Sequence, residues 1–182
     1  MAMCMETLCT KYIKPNEMNI PECILGKITV AIVEALRYLK NVHGLIHRDI
    51  KPSNILIDWD GLIKLADFGV SGSINISSPD IPIHGCINYC PPGVLDHRKQ
   101  DHSEFDERYD IWGLGISLYE MATLKPAYHF IDNILFELSI INDTVPPLPA
   151  TFSFDFQKFI NSCLEKDVVH RSKYRILVVS FY

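Results

Sequence analysis

The feature that most constrains this chain is the stretch "HRDIKPSN" at residues 47–54, followed thirteen positions after Asn54 by "DFG". Eight residues bring together an imidazole, two cations, a carboxylate and an amide, with a proline restricting the backbone between them. The five functional residues of the first motif and the three of "DFG" make eight fixed identities. With an average usage of about 5% for each residue type, they match by chance with a frequency of order 10⁻¹⁰ per starting position. A connecting loop rarely holds so many functional side chains, so the pattern indicates a reactive site.

The segments around this motif predict the elements that hold it. From Pro21 to the residue before Gly44, apolar residues recur at helical spacing and predict one long helix. After the motif, the β-branched runs 55–57 and 62–65 flank Asp60-Gly61, which predicts a β-hairpin. The motif therefore lies on a loop between a helix and a hairpin, and "DFG" follows the second strand. The predicted buried stripe of the helix is Ile24, Ile28, Ala31, Ile32, Ala35, Leu36 and Leu39.

The remaining segments predict a mainly α domain with one small β-hairpin. Residues 71–107 read as a long loop with short helical turns, and 144–150 as a proline-rich loop. Helical spacing returns at 108–123, at 152–164 and in a short segment at 174–179. The predicted core residues of the first two helices are Ile111, Leu114, Leu118, Met121, Phe152, Phe156, Phe159, Ile160 and Cys163.

Composition narrows the class of partner. The 182 residues carry a net charge of −5, and no basic cluster suggests nucleic acid or a membrane surface as a partner. Apolar runs stay far below the roughly 20 residues of a membrane span, and the first residues do not resemble a signal peptide. Six cysteines without a C-x-x-C pair favour reduced thiols. We therefore expect a protein of the cytoplasm, or also of the nucleus.

The chemistry of the motif favours phosphoryl transfer. Asp49, flanked by Arg48 and Lys51, should stay ionised and could accept a proton from a hydroxyl nucleophile. Lys51 is a mobile point charge suited to a phosphate oxygen. Asn54 and Asp67 offer the hard oxygen ligands that Mg²⁺ prefers. A single Asp on a loop is usually a cap or solvated, but the joint pattern and its helix–loop–hairpin context match a protein kinase signature.

On these residues the chain resembles the helical C-terminal lobe of eukaryotic protein kinases, with lysine at 51 as in the serine/threonine type. The resemblance covers residues 1–182, from the hinge region to the final helices, and implies a partial kinase domain without its N-lobe. The stretches 26–39, 67–72 and 106–123 resemble dual-specificity MAP kinase kinases, closest to those that activate c-Jun N-terminal kinases. ATP and Mg²⁺ are the implied cofactors.

The resemblance also implies individual roles. Asp49 would orient or deprotonate the substrate hydroxyl, and Lys51 would steady the transferred phosphoryl group. Asn54 and Asp67 would hold Mg²⁺ at the nucleotide phosphates. Leu56 would lie beneath the adenine ring, and Asp110 would anchor the catalytic loop. The remaining implied positions are structural: His47, Arg48, Phe68 and Gly69. Gly69 would let the chain leave Asp67 in an unusual conformation. The implied partners are a c-Jun N-terminal kinase-like substrate, an upstream MAP kinase kinase kinase and a scaffold protein.

Two interpretations of function follow. These 182 residues contain no G-x-G-x-x-G loop, no V-A-I-K-type lysine and no helix with its glutamate partner, so we expect little or no kinase activity from the chain alone. In the first interpretation, the chain is a MAP kinase kinase presented as a truncated catalytic domain. In the second, it is an inactive lobe that binds within a MAP kinase cascade and competes with the full-length enzyme.

Two further departures from the family pattern concern structure and regulation. Gly93 stands where the family has a glutamate, so Arg171 is expected to lack its buried ion-pair partner. Ser77 or Ser78 matches the first activating phosphosite, and Ile81 occupies the place of the second. With one acceptor left, phosphorylation should switch the loop less effectively, through pairing with an arginine such as Arg48.

Overall fold

The computed structural model describes residues 2–16, 18–73, 86–96, 106–128 and 133–179. Seven helices and five short strands occur in this part of the chain, and 3₁₀ turns cover Lys14–Asn16, Pro52–Asn54 and Ile87–Tyr89. The strands are β1 (Ala2–Cys4), β2 (Leu45–Ile46), β3 (Ile55–Asp58), β4 (Ile63–Leu65) and β5 (Gly72–Ser73). The helices are α1 (Met5–Thr7, continued as a π-helix over Leu8–Ile13), α2 (Glu22–His43), α3 (Pro92–Leu95), α4 (Glu107–Thr123), α5 (Asn133–Asn142), α6 (Phe154–Cys163) and α7 (Tyr174–Val179).

Helix α4 forms the centre of the molecule and packs against α2 and α6. Its N-terminus is capped by the Asp106 carboxylate, which accepts a hydrogen bond from the Arg108 amide at 2.8 Å. Almost every residue of α4 is buried, and the predicted core positions Ile111, Leu114, Leu118 and Met121 are among them. A helix that is buried on all sides positions whatever packs against it rigidly.

Helix α2 confirms the long predicted helix. It begins one residue after Pro21 and ends at Gly44, whose φ of 65° is the left-handed conformation that glycine adopts without a Cβ clash. The buried stripe runs through Leu25, Ile28, Ile32, Leu36 and Leu39. The prediction that Ile24 belongs to this stripe is wrong, because position 24 lies about 100° around the helix from Leu25 and is exposed.

Two small antiparallel sheets flank the reactive motif. In the first, β3 pairs with β4 and places Ile55 opposite Leu65, which confirms the predicted hairpin. The N-terminal strand β1 pairs with the other edge of β3, with Cys4 opposite Leu56, so the hairpin becomes a three-stranded sheet. In the second sheet, β2 pairs with β5 and places Ile46 opposite Gly72. This second pairing brings the residues after β2 next to those before β5.

The C-terminal part of the chain agrees with the predicted helices at 152–164 and 174–179, seen as α6 and α7. Helix α5 was not predicted, because its apolar residues lie all around the helix, and two of them, Leu135 and Leu138, are exposed. None of the helices in the described ranges combines the length and the apolar character that crossing a membrane requires.

Candidate functional site

The loop that follows β2 is anchored to α4 through one buried carboxylate, that of Asp110. Its Oδ2 accepts the backbone N–H of His47 at 2.8 Å, and its Oδ1 accepts the backbone N–H of Arg48 at 2.7 Å. Burial raises the pKa of Asp110, and the hydrogen bonds from these two amides oppose that rise. The implied role of Asp110 as anchor of the catalytic loop therefore has direct contacts in the structure.

The same face of α4 supports the loop at two more positions. Gly113 and Ser117 lie three and seven residues after Asp110, which places all three on one side of the helix. The Ser117 hydroxyl donates to the Gly113 carbonyl at 2.7 Å and lies 3.4 Å from the Ile50 carbonyl oxygen. A Cβ at Gly113 would come within 2.9 Å of that same Ile50 oxygen. The loop backbone therefore approaches α4 as closely as glycine permits.

We expect Gly113→Ala to destabilise the protein and to displace the catalytic loop, because the atom it would strike belongs to backbone that cannot rotate away. A loss of about 1–3 kcal/mol is typical of overpacking, and urea unfolding measures it. The matched control is Gly26→Ala in α2, where an added Cβ meets nothing within 4 Å. That change should stabilise the helix by about 0.5–1 kcal/mol. Equal effects of the two substitutions would contradict the close approach seen at Gly113.

Asp49 is held at the centre of the loop by three hydrogen-bond donors. Its Oδ2 accepts from Lys51 Nζ at 2.6 Å and from Asn54 Nδ2 at 2.8 Å, while its Oδ1 accepts the backbone N–H of Cys86 at 3.2 Å. Asn54 Nδ2 also donates to the Asp49 carbonyl at 2.8 Å, which closes the turn over Pro52. Three of the predicted site residues are thus in direct contact.

The protonation state of Asp49 follows from these contacts. Burial acts to raise the pKa of the Asp49 carboxyl, but the hydrogen bonds from Lys51, Cys86 and Asn54 together outweigh burial and lower it. A carboxyl with a lowered pKa stays ionised at every pH above that lowered value. It therefore gains a proton only in more acidic solution than an ordinary aspartate does. Asp49 is therefore ionised at neutral pH, as the motif predicted, and its role as a proton acceptor stays a prediction.

His47 is a structural residue of the loop. Its side chain is fully buried, its Nδ1 accepts the Asp49 backbone N–H at 3.3 Å, and its Nε2 lies 3.1 Å from the Ala66 carbonyl oxygen. The tautomer with a proton on Nε2 satisfies both contacts. The Phe68 ring packs edge-on against the imidazole with centroids 5.0 Å apart. His47 therefore links the catalytic loop to the segment around "DFG".

The hairpin brings Asn54 and Asp67 to the same end of the site. The Ala66 backbone N–H donates to the Asn54 carbonyl at 2.9 Å, and Asp67 is the next residue. Asp67 is exposed, and both hydrogen-bond donors of the Asn54 amide face Asp49, which leaves its side-chain oxygen as the ligand atom. A carboxylate and an amide oxygen fit Mg²⁺, which is usually bound by one or two protein ligands together with phosphate oxygens and water.

The unusual backbone conformation near Asp67 belongs to Asp67 itself, with φ at 64°, so its assignment to Gly69 is wrong. Gly69 serves the carboxylate in another way. Its N–H donates to Asp67 Oδ1 at 3.3 Å, and an added Cβ at Gly69 would lie 3.2 Å from that oxygen. Leu56, expected beneath the adenine ring, is a half-buried residue of the central strand β3. No contact in the described part of the chain tests that expectation.

Arg48 adopts a left-handed backbone conformation, with φ at 69°, directly before Asp49. Non-glycine residues in this region are strained by about 1–3 kcal/mol and persist only where the surroundings hold them. The Asp110 carboxylate provides that restraint through the Arg48 amide. The guanidinium lies over Gly72, where an added Cβ would clash with Arg48 Cζ. Strand β5 therefore needs glycine at this position to accommodate the arginine.

Arg171, for which Gly93 replaces the family's glutamate, is held by groups other than a carboxylate, and the cost of losing the ion pair stays a prediction. The buried guanidinium donates through Nε to the Glu165 carbonyl at 2.8 Å and through Nη1 to the Arg108 carbonyl at 3.2 Å. It also stacks over the Trp112 ring, with Cζ 5.1 Å from the ring centroid. Backbone carbonyls and an aromatic face thus stabilise the arginine.

The predicted phosphosites Ser77 and Ser78, together with Ile81, lie outside the described residues. Their regulatory role stays a prediction, which phosphate mapping by mass spectrometry after treatment with an upstream kinase would test. Absence of phosphate from both serines would refute it.

Several contributors to the site were missed in the sequence. The Cys86 amide could not be found, because a backbone donor leaves no residue signature. Gly113 and Ser117 do have a signal, since they follow Asp110 at i+3 and i+7. Tyr174 on α7 also reaches Asp110, and its hydroxyl donates to Oδ2 at 3.0 Å. Its separation of 64 residues from Asp110 gives no local pattern to detect.

Comparison with known proteins agrees with this geometry. The protein kinase domain family matches residues 1–180. The human dual specificity mitogen-activated protein kinase kinase 7 is 45% identical over 177 residues, which cover 96% of this chain and 42% of that protein. The Drosophila melanogaster kinase hemipterous is 44% identical over 96% of the chain, which spans 15% of that relative. The Caenorhabditis elegans kinase mek-1 is 41% identical over 98% of the chain and half of its own length. The chain thus spans half or less of each of these three relatives.

Proposed function

Because the chain belongs to the protein kinase family, and within it to the dual-specificity MAP kinase kinases, we propose that it serves phosphoryl transfer from ATP to a threonine and a tyrosine of a MAP kinase. The observation that carries this proposal is the environment of Asp49. A buried carboxylate with a lowered pKa lies within hydrogen-bond distance of Lys51 and Asn54, and Asn54 is tied to the residue before Asp67.

The arrangement supports a division of labour among the side chains of the site. Asp49 accepts the proton of the substrate hydroxyl, or orients that hydroxyl toward the phosphoryl group. Asn54 and Asp67 would hold Mg²⁺, which neutralises charge on the nucleotide phosphates when bound. His47 and Asp110 do not touch substrate and act by keeping the loop in place.

Lys51 has two roles in this proposal. Its ammonium pairs with Asp49 at 2.6 Å, and its side chain is 24% exposed, so the flexible stem can turn toward a phosphoryl oxygen. When Lys51 leaves Asp49, the carboxylate loses a hydrogen bond that lowers its pKa. Asp49 thereby becomes a stronger base at the stage at which a proton must be accepted.

The proposal extends to partners by analogy with the family. We propose a c-Jun N-terminal kinase-like substrate, an upstream MAP kinase kinase kinase and assembly on a scaffold protein, in the cytoplasm or also the nucleus. The similarity to kinase 7 supports the MAP kinase kinase class. The choice among MAP kinases is tested by presenting each of them as substrate.

The test supplies the nucleotide-binding elements that these 182 residues do not contain. The chain is placed in frame behind the part of human MAP kinase kinase 7 that precedes the matched region, and phosphate transfer from radiolabelled ATP to c-Jun N-terminal kinase is measured. We expect transfer by this chimera and little transfer by the 182-residue chain alone, because positioning of the phosphates needs the glycine-rich loop and its lysine. A folded, ATP-binding chimera that transfers no phosphate to any MAP kinase would overturn the proposal.

A further inference from the structure

Tyr174, the first residue of α7, reaches the anchor of the catalytic loop from the far end of the described chain. The side chain is 2% exposed, and its hydroxyl donates to Asp110 Oδ2 at 3.0 Å. The same oxygen accepts the His47 amide at 2.8 Å. One carboxylate therefore joins the catalytic loop, α4 and α7.

The hydroxyl of Tyr174 differs from the other two donors on Asp110, because it belongs neither to the loop nor to α4. The amides of His47 and Arg48 move with the loop, so they cannot fix the carboxylate independently of it. A donor on a third element can hold the carboxylate plane independently of the loop. Burial raises the pKa of Tyr174 well above its ordinary value, so the hydroxyl keeps its proton and remains a donor.

The tyrosine ring is itself held in place. Lys40 of α2 forms an ion pair with the buried Glu107 of α4, with Nζ 2.7 Å from Oε2. The same ammonium lies 6.0 Å from the centroid of the Tyr174 ring. Leu177, which follows at i+3 on α7, is buried in the core cluster. Helices α2, α4 and α7 thus fix the ring from which the hydroxyl points at Asp110.

We infer that Tyr174 is a positioning residue, whose hydroxyl holds the Asp110 carboxylate in the orientation that anchors the backbone of the catalytic loop at His47 and Arg48. The link to phosphoryl transfer rests on the proposed function, but the anchoring does not. Docking of α7 is then a condition for an ordered catalytic loop, although no residue of α7 belongs to the loop or to "DFG".

The experiment measures amide hydrogen exchange by NMR in the full chain and in Tyr174→Phe. This change removes only the hydroxyl and keeps the ring. We expect the amides of His47 and Arg48 to exchange about tenfold faster, in line with the loss of one hydrogen bond to a charged acceptor, while amides in the middle of α4 stay protected.

The matched control is Tyr128→Phe. That hydroxyl is also buried, but it donates to the Asp143 carbonyl at 3.3 Å, away from Asp110. Unchanged exchange at His47 and Arg48 in Tyr128→Phe supports the inference. Equal acceleration in both variants would show a general loss of stability and would overturn it, as would unchanged exchange in Tyr174→Phe.

A second measurement uses the unsubstituted chain and does not depend on whether a variant folds. The Tyr174 hydroxyl proton should be protected from exchange with water and should show a nuclear Overhauser effect to the His47 amide proton, because both protons point at Asp110 Oδ2. A hydroxyl proton that exchanges freely would overturn the inference. Neither readout requires catalysis, so a chain that transfers no phosphate would count against the proposed function alone.

Discussion

We expect Asp49→Asn to lower the rate of phosphate transfer by about 10²–10⁴-fold in the chimera described above, because an amide cannot accept the substrate proton. Asparagine has nearly the same shape as aspartate, and its one amide oxygen can accept either from Lys51, at the Oδ2 position, or from the Cys86 amide, at the Oδ1 position. Asp110 still anchors the loop backbone at His47 and Arg48. The loop should therefore stay folded while the proton acceptor is lost. Single-turnover kinetics at saturating ATP measure the effect on the chemical step.

The matched control for this prediction is Asp58→Asn. Asp58, like Asp49, accepts hydrogen bonds from three donors, which are the backbone N–H groups of Asp60 and Leu62 and the Lys64 ammonium. Asp58 lies at the hairpin turn and not in the catalytic loop. Its substitution should leave the transfer rate unchanged. A decrease of less than tenfold in Asp49→Asn, or an equal decrease in both variants, would remove Asp49 from the role of proton acceptor.

The second large effect is expected on stability, in Asp110→Ala. The substitution leaves the His47 amide, the Arg48 amide and the Tyr174 hydroxyl buried without their acceptor. Each buried unsatisfied donor costs about 1–3 kcal/mol, so we expect the three together to cost at least about 3 kcal/mol. For a domain of this size that loss lowers Tm by about 10 °C, which differential scanning calorimetry measures.

Asp58→Ala is the control for the stability prediction, because its neighbours Trp59 and Asp60 are exposed and water can satisfy the donors it would leave. We expect its Tm to stay close to that of the unsubstituted chain. The loss in Asp110→Ala should also exceed that in Tyr174→Phe, which removes one donor and keeps the acceptor. A Tm for Asp110→Ala within a few degrees of the Asp58→Ala value would show that the carboxylate does not hold the loop.

Local signals in the sequence predicted the elements that carry the site. The apolar spacing of α2, the Gly44 stop and the Asp60-Gly61 turn each depend on residues close together in the chain, and the structure contains all three features. Helix α5 and the pairing of β1 with β3 were not predicted. Their formation depends on which surface they meet, and β1 is only three residues long.

The site also has a part that the sequence predicted, its reactive side chains, and a part that it did not, the contacts that hold them. The candidate site residues Asp49, Lys51, Asn54 and Asp67, and with them the proposed class of chemistry, were readable from the sequence because the proposal depends on the side chains themselves. The sequence predicted that Arg171 lacks the family's glutamate partner, but it did not show which groups hold the arginine instead. Backbone carbonyls and the Trp112 face provide its contacts. Carbonyl groups are present at every residue, so no sequence pattern shows where they will accept.

What the sequence determined by itself is therefore the set of candidate catalytic groups and the helix–loop–hairpin frame that presents them, since both follow from residue type and short-range spacing. Only the tertiary structure decided how the loop is held. The Cys86 amide on Asp49, the close approach of Ile50 to Gly113, and the Tyr174 hydroxyl on Asp110 join residues that are 37, 63 and 64 positions apart. Contacts over such separations form only when the packed core brings the elements together, because nothing in the local sequence of either partner specifies the other.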